Sequence, residues 1–379
     1  MSVDRRDNFH FVRLLAASAV LFSHQFAFER LPEPLVLKYQ TLGGFGVLVF
    51  FAISGFLVAQ SWERDPNLLR FAQRRLLRIW PGMICTILLC GLVLGPIVTT
   101  VPVSQYFADP TTHRFFGGLV FMIQPFLPGV FPDSLVAGVP NGVLWTIPLE
   151  LRCYLYLSIF GMLGILRYRW IVLGGLLAVS VFYYGIYGAE ARFDQTYQHW
   201  YELQYATFFF SGACIYYFRD AWNTRTRKLA LFVAASIVGV VLAKQGHELI
   251  AAFVMVPTLT ILFGTESFPV LRDFDRFGDL SFGIYIYAFP IQQTIVWLMP
   301  GAGILVHLAI AVPLTLVLAY ASWHLVEKLA LQYKPRTPRS LSVSAPVQGL
   351  GETLAVIRKA NAGVYQRVTK GTGQQSRAW

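Results

Sequence analysis

Charged residues are scarce in this sequence. Only 13% of its 379 residues are Asp, Glu, Lys or Arg, whereas 55% are hydrophobic. A soluble domain could not hide so much apolar side chain in one core, so the excess must face lipid. Apolar runs of about 17 to 24 residues recur along the chain, and a helix needs about 20 such residues to cross a bilayer. The strands of a membrane barrel would be about half as long and would alternate.

Cysteine is also scarce, and its placement excludes two kinds of site. The four cysteines all lie in apolar runs without metal-ligand spacing: Cys85, Cys90, Cys153 and Cys214. This pattern predicts neither a disulfide framework nor a zinc site. We interpret the cysteines as small apolar packing residues and expect no metal in the functional site.

The net charge of +11 could indicate a nucleic-acid partner, but the basic residues lie mainly in short loops between apolar runs. Membrane topology explains this placement better, so no nucleic acid is expected. The sequence predicts an all-α integral membrane protein, a bundle of about ten transmembrane helices. The predicted spans lie near residues 9–28, 43–61, 81–101, 141–165, 170–187, 201–218, 229–243, 248–265, 280–299 and 303–325.

Two apolar segments, at 9–28 and 115–130, differ from the other apolar runs. The run at 9–28 lacks a signal-peptide cleavage site and is predicted to be retained. The stretch at 115–130 is apolar but short and contains two prolines, which favours a re-entrant or interfacial segment. If it does not span, the Arg-rich loops fall on one side, which predicts that both termini are cytoplasmic. Residues 1–328 would form the transmembrane domain, and 335–379 a flexible cytoplasmic tail.

Arg13 and His24 lie within the first apolar run, where desolvation makes ionisable groups costly. They are separated by about three helical turns and about 16 Å of rise, so both side chains project from one face at different depths. His24 lies deeper and could accept a proton. In the alternative interpretation, Arg13 extends to lipid head groups and His24 merely hydrogen-bonds a neighbouring helix.

Glu150 lies in the fourth apolar run, two residues before Arg152. Its predicted depth could approach that of His24. A carboxylate there would orient an imidazole and stabilise its protonated form. The competing interpretation is an ion pair between Glu150 and Arg152.

Arg75 and Arg78 precede the third apolar run and are neighbours if the segment is helical. Guanidinium groups bind phosphate oxygens in a fork geometry, so the pair is a candidate phosphate site. Alternatively, these arginines only determine topology.

Five motifs together resemble the membrane-bound acyltransferase family 3, of the polysaccharide or oligosaccharide O-acyltransferase type, from about Asn8 to Lys328. They occur in the order expected of that family. The motifs are Arg13 with His24; Gly46–Leu57, which includes Ser54 and Gly55; Arg75–Pro81; Trp145 through Glu150 to Tyr154; and Leu280–Tyr285.

The resemblance implies a membrane-bound O-acyltransferase in the bacterial inner membrane. It would move an acyl group, commonly acetyl, from cytoplasmic acetyl-CoA or another acyl-CoA to a hydroxyl group. The acceptor would be a cell-surface polysaccharide, such as an O-antigen or exopolysaccharide, or a lipid-linked sugar. Arg13, Arg75 and Arg78 would bind the donor phosphates. His24 would act as general base or transient acyl carrier, with Glu150 setting its pKa. The expected supporting residues are Ser54, Gly55, Trp145, Tyr154 and Tyr285.

The chain departs from the family pattern at one position. Many relatives place a His before the aromatic-Pro pair, where this chain has Ala288-Phe289-Pro290, so a role for that His cannot apply here. Only about 50 polar residues follow the last span, so we expect no fused hydrolase-like domain.

The alternative function is transport of a sugar conjugate or small acid, although no internal repeat supports it. A third is a non-catalytic membrane partner of a glycan assembly complex.

Overall fold

The computed structural model describes residues 7–38, 40–187, 198–268, 271 and 278–335. The predicted cytoplasmic tail, 335–379, lies outside the described residues apart from Pro335. The boundary predicted for the transmembrane domain therefore stays a prediction.

The first half of the chain contains three long helices and several short ones. Its elements are α1 (Phe9–Phe28), β1 (Leu35–Val36), β2 (Gln40–Thr41), α2 (Leu42–Arg64), α3 (Leu68–Leu88), a π-helix (Leu89–Leu94), α4 (Gly95–Val98), α5 (Val103–Ala108), α6 (Pro110–Phe115) and a 3-10 helix (Phe116–Val120). The two strands pair antiparallel, with Leu35 opposite Thr41.

Helices also dominate the second half. They are α7 (Thr146–Met162), a 3-10 helix (Ile165–Arg167), α8 (Arg169–Tyr187), α9 (Gln198–Tyr217), α10 (Arg219–Trp222), α11 (Arg225–Lys244), α12 (Glu248–Gly264), α13 (Ser281–Leu298), α14 (Ile304–Ser322), a π-helix (Trp323–Glu327) and α15 (Lys328–Leu331).

Helix α2 lies at the centre of the bundle and packs against α1, α9 and α12. Two glycines allow α2 and α9 to approach closely. A Cβ atom on Gly55 would lie 1.7 Å from the Phe209 carbonyl oxygen, and one on Gly212 would lie 2.0 Å from that of Ala52. Small residues permit this backbone contact in membrane helices. Gly55 therefore allows α2 to pack closely against α9, while its predicted supporting role in the site stays a prediction.

Five helical segments in the described chain are long and apolar enough to cross a membrane. They are Phe9–Phe28, Leu42–Arg64, Leu68–Val98, Arg225–Lys244 and Ile304–Leu331. Helix α11 is mostly exposed, and its exposed side chains include Leu229, Ile237 and Val241. Contiguous apolar surface of this length is typical of contact with lipid.

The predicted count of about ten crossings is not confirmed, although each predicted span contains a helix. Interior helices explain the difference in part. In α13, Tyr285, Gln292 and Gln293 are buried among other helices. A helix enclosed by protein can carry polar groups that a lipid-facing helix cannot, so hydropathy underestimates it.

Two boundaries refine the sequence interpretation. Helix α3 begins at Leu68, well before the predicted span, because the Asn67 side chain accepts a hydrogen bond from the Arg70 backbone N–H and caps the first turn. The segment at 115–130 forms a single 3-10 turn and then irregular chain, as its prolines suggest. Whether it lies at the membrane interface stays a prediction.

Candidate active site

One cavity collects most of the charged residues singled out in the sequence. We call it the basic cavity; its volume is about 370 Å³, within the range typical of small-molecule sites. It is lined by helices α1, α2, α3, α7 and α13, the residues just before α13, the π-helix that follows α14, α15 and the chain after it. Its polar lining residues are His10, Arg13, Ser54, Arg75, Arg78, Thr146, Glu150, Tyr154, Asp279, Ser281, Tyr285, Trp323 and Lys334.

Asp279 organises two of the three predicted arginines. Its Oδ2 atom accepts hydrogen bonds from Arg78 and, at 3.3 Å, from Arg13. The Nδ1 atom of His10 lies 3.5 Å from the same oxygen. Oδ1 accepts a hydrogen bond of 2.5 Å from Ser281. Burial opposes ionisation of Asp279, but Arg78, Arg13 and His10 outweigh it and hold the pKa of this carboxyl below its usual range.

Arg75 differs from Arg13 and Arg78. Its nearest hydrogen-bonding side chain is Ser61, at 3.4 Å, and its guanidinium carbon lies 5.9 Å from the ring centre of Tyr154. Within the described part of the chain, no carboxylate lies within ion-pair distance of Arg75. Its charge is therefore available to an anionic ligand.

Glu150 also lines the basic cavity and is held by two hydroxyl groups. Its Oε1 atom accepts a hydrogen bond of 2.6 Å from Ser54 and another from Tyr154. The alternative pairing with Arg152 does not form, because Arg152 makes a two-point ion pair with Glu202. Ser54 and Tyr154 thus fix the position of the Glu150 carboxylate.

A second cavity contains His24. We call it the histidine cavity; its volume is about 530 Å³. Its lining comes from α1, α2, β2, α9, α13 and the chain that enters α7. The lining residues are Val20, His24, Gln40, Thr41, Gly43, Gly44, Val47, Gly142, Val143, Trp145, Thr146, Tyr205 and Tyr285.

The imidazole of His24 is held by packing. Its ring meets Phe289 edge to face, with centroids 5.4 Å apart. Its Nδ1 atom is buried and makes no hydrogen bond within the described residues. Trp145 packs against Tyr205 on the same cavity, with ring centroids 5.7 Å apart. The cavity therefore presents one imidazole and several aromatic surfaces.

The profile of a family described as an acyltransferase domain matches residues 6–324 of this chain. The chain belongs to acyltransferase family 3. This membrane family contains acyltransferase enzymes, and the residues lining the two cavities lie within the matched range apart from Leu331 and Lys334.

Similar proteins agree with this assignment. An O-acetyl transferase of Shigella phage Sf6 is 28% identical over 323 residues, which cover 84% of this chain and 94% of that protein. Nodulation protein 10 of Rhizobium leguminosarum bv. viciae is 29% identical over 377 residues, covering 90% and 98% of the two chains. The acyltransferase MdmB of Streptomyces mycarofaciens is 29% identical over 153 residues, or 38% and 36%. No solved structure matches this acyltransferase family member.

The structure separates His24 from Glu150, which the sequence analysis expected to meet. His24 lines the histidine cavity and Glu150 the basic cavity, and no hydrogen bond or ion pair joins them. Similar depth along two helices does not bring side chains together, because each helix can be rotated about its axis. The predicted contact is therefore absent from the described structure.

The outcome for the three predicted arginines is different. The structure brings Arg13, Arg75 and Arg78 into one cavity, with Arg75 and Arg78 one turn apart on α3. Tyr285 and Trp145 lie on the histidine cavity, and Tyr285 also reaches the basic cavity. The roles proposed for these residues stay predictions.

Sequence reasoning missed several lining residues, above all Asp279 and Lys334. A signal for Asp279 existed, since an arginine within an apolar run, such as Arg13, requires a counter-charge and Asp279 directly precedes the Leu280–Tyr285 motif. Lys334 remains exposed at the cavity mouth. Partial withdrawal from water and repulsion by Arg75 and Arg78 lower the pKa of Lys334 to about 8. Among the described residues, no cluster of His, Cys, Asp or Glu has the arrangement of a metal site.

Proposed function

We propose that this protein transfers an acyl group, in the first place acetyl, from cytoplasmic acyl-CoA to a hydroxyl group of a cell-surface polysaccharide or lipid-linked sugar. The setting would be a bacterial inner membrane, with both termini in the cytoplasm. The observation that carries the proposal is the basic cavity of a family 3 acyltransferase, in which Arg75 has no described carboxylate partner.

The donor would bind in the basic cavity. Arg75 offers a guanidinium with no described carboxylate partner, and Lys334 adds a charge at the cavity mouth. Guanidinium groups recognise phosphate oxygens by charge and by paired N–H donors, which suits the phosphates of acyl-CoA. Arg13 and Arg78 share Asp279, so they contribute a positive field but fewer free donors.

The acceptor would bind in the histidine cavity. Aromatic side chains such as Trp145 and Tyr205 offer flat surfaces to a sugar ring, and Gln40 and Thr41 offer hydrogen-bonding groups. The printed name of the phage relative, O-acetyl transferase, supports transfer to oxygen. That transfer requires a base near the acceptor hydroxyl, and His24 lines this cavity.

His24 would take the proton of the acceptor hydroxyl as the hydroxyl oxygen bonds to the carbonyl carbon of the thioester. The carbon–sulfur bond then breaks, and the thiolate leaves with the bonding electron pair. His24 returns the proton to the thiolate, so the imidazole ends neutral. In the alternative covalent route, the imidazole of His24 would itself carry the acyl group transiently. Glu150 would act as a positioning residue. It would hold the hydroxyl groups of Ser54 and Tyr154 in place through the hydrogen bonds that they donate to it.

The test is acetyl-CoA binding and turnover by the purified protein in detergent, beside His24→Ala and His113→Ala. His113 is exposed outside both cavities and contacts the Phe107 carbonyl oxygen. We expect all three proteins to bind acetyl-CoA. Turnover should fall about 100-fold or more in His24→Ala, the scale of general base catalysis, and stay unchanged in His113→Ala.

Two results would contradict the proposal. Normal turnover by His24→Ala would remove His24 from the chemistry. If none of the folded proteins bound acetyl-CoA, the transport alternative would replace acyl transfer.

A further inference from the structure

Three of the described residues line both cavities: Val47 on α2, Thr146 at the start of α7 and Tyr285 on α13. We call them the partition. All three are nearly buried, with 8%, 5% and 9% of their surface exposed. They come from three different helices, so the boundary between the cavities exists only in the assembled bundle.

The polar side of the partition consists of two hydroxyl groups whose protons are used in hydrogen bonds within the protein. The hydroxyl groups of Thr146 and Tyr285 lie 2.8 Å apart, and they lie 3.1 and 3.2 Å from the Val143 carbonyl oxygen. Each hydroxyl has one proton to donate. One hydroxyl therefore donates to the other, which donates to Val143, and neither has a donor left for a ligand.

The remaining side of the partition is apolar. Val47 carries no polar atom, and the Tyr285 ring is held edge to face by Phe50, with centroids 5.8 Å apart. An acyl chain that meets the partition therefore contacts hydrocarbon from Val47 and the aromatic ring. Such a surface selects ligands by size, because it offers no hydrogen bond that would distinguish them.

The partition separates the groups that the reaction must combine. Arg75 lies on the basic cavity and His24 on the histidine cavity. If the donor phosphates bind near Arg75 and the acceptor hydroxyl near His24, the acyl carbon must lie at the boundary. This step rests on the proposed function.

We infer that Val47 and Thr146 determine which acyl chains this protein transfers. The space between them admits the acetyl group, while each further methylene collides with the valine side chain or with the threonine. Tyr285 is a positioning residue that holds Thr146 in place.

The test compares two substitutions of the same residue type on the same helix. Val47→Ala removes two methyl groups from the partition. Val58→Ala removes two methyl groups from a buried valine about three turns further along α2, which lines the basic cavity alone. Thr146→Ser is a second partition variant that keeps the hydroxyl bound to Tyr285 and Val143. The kcat/KM of each purified, folded protein is measured with acetyl-, propionyl- and butyryl-CoA.

We expect Val47→Ala to raise the ratio of kcat/KM for propionyl-CoA over acetyl-CoA by about tenfold, the discrimination that one methylene commonly provides. Thr146→Ser should shift the ratio in the same direction by less. Val58→Ala should leave the ratio unchanged even if it alters KM for all three thioesters.

Three outcomes would overturn the inference. Unchanged ratios in both partition variants, with normal activity of the unmutated protein, would remove the partition from acyl selection. An equal shift in Val58→Ala would show general loosening of the bundle. If the unmutated protein used none of the three thioesters, the proposed function would fail and the inference with it.

Discussion

The two cavities differ in how they use charge. The basic cavity contains four cationic side chains from Arg and Lys together with the carboxylates of Glu150 and Asp279. Among the described residues, the histidine cavity is lined by no Arg, Lys, Asp or Glu and by one histidine, His24. A polyanionic ligand requires fixed positive charge, which must be balanced when the site is empty. A neutral hydroxyl requires only a proton acceptor. Under the proposed function, one bundle would separate anion binding from proton transfer.

The largest expected effect distinguishes Arg78 from Arg75 within the basic cavity. Arg78 binds buried Asp279 and lies 3.9 Å from a carboxylate oxygen of buried Glu327. Arg78→Ala should lower the free energy of unfolding by about 3–5 kcal/mol, because Glu327 loses its described ion pair and buried Asp279 keeps only Arg13 and His10. Arg75→Ala breaks no described ion pair. It should instead weaken acetyl-CoA binding by about tenfold or more, since it removes hydrogen bonds to a charged group.

Thermal unfolding in detergent and acetyl-CoA titration measure the two effects. Arg152→Ala is the control, because it breaks a more exposed ion pair with Glu202 and should cost at most about 1 kcal/mol. Equal stability of the Arg75→Ala and Arg78→Ala proteins would contradict the distinct roles.

A smaller effect concerns Lys334 and pH. The pKa of Lys334 is lowered to about 8, so this side chain loses its charge as the pH rises through that value. An anionic donor binds the charged form better. Donor affinity should therefore fall severalfold between pH 7 and pH 9.

Two variants sharpen this comparison. Lys334→Gln should bind acetyl-CoA weakly at both pH values, whereas Lys334→Arg should keep its affinity at pH 9, because a guanidinium stays charged there. Binding is measured by calorimetry. The same decline with pH in all three proteins would assign the titration to another group.

The smallest effect concerns the support of Glu150. Ser54→Ala removes one of two hydroxyl donors to its Oε1 atom. Turnover should fall about fivefold, in line with about 1 kcal/mol for one hydrogen bond. Ser180→Ala is the matched control, since Ser180 donates to the Leu176 carbonyl oxygen on α8, outside both cavities. The turnover of both variants is measured in a steady-state rate assay at saturating acetyl-CoA. Full activity of Ser54→Ala would show that Tyr154 alone suffices to hold Glu150.

Local features of the sequence were sufficient to predict individual helices. The bounds of α1 agree with the predicted span at 9–28, because a run of apolar residues has the length that a helix needs to cross a bilayer. The spacing of Arg75 and Arg78 likewise placed them one turn apart on α3. The family followed from the order of short motifs, and the profile match confirms it.

The contacts between helices could not be predicted in the same way. Asp279 meets Arg78 from 201 residues away, and Glu150 turns to Ser54 rather than to His24. The rotation of each helix about its axis decides such contacts, and packing against neighbours fixes that rotation.

The sequence by itself therefore determined that the chain is helical, lies in a membrane and contains a basic site. Each of these properties depends on residues close together along the chain. Only the tertiary structure divided the interior of the helix bundle into two cavities, because Val47, Thr146 and Tyr285 meet only after three helices pack together.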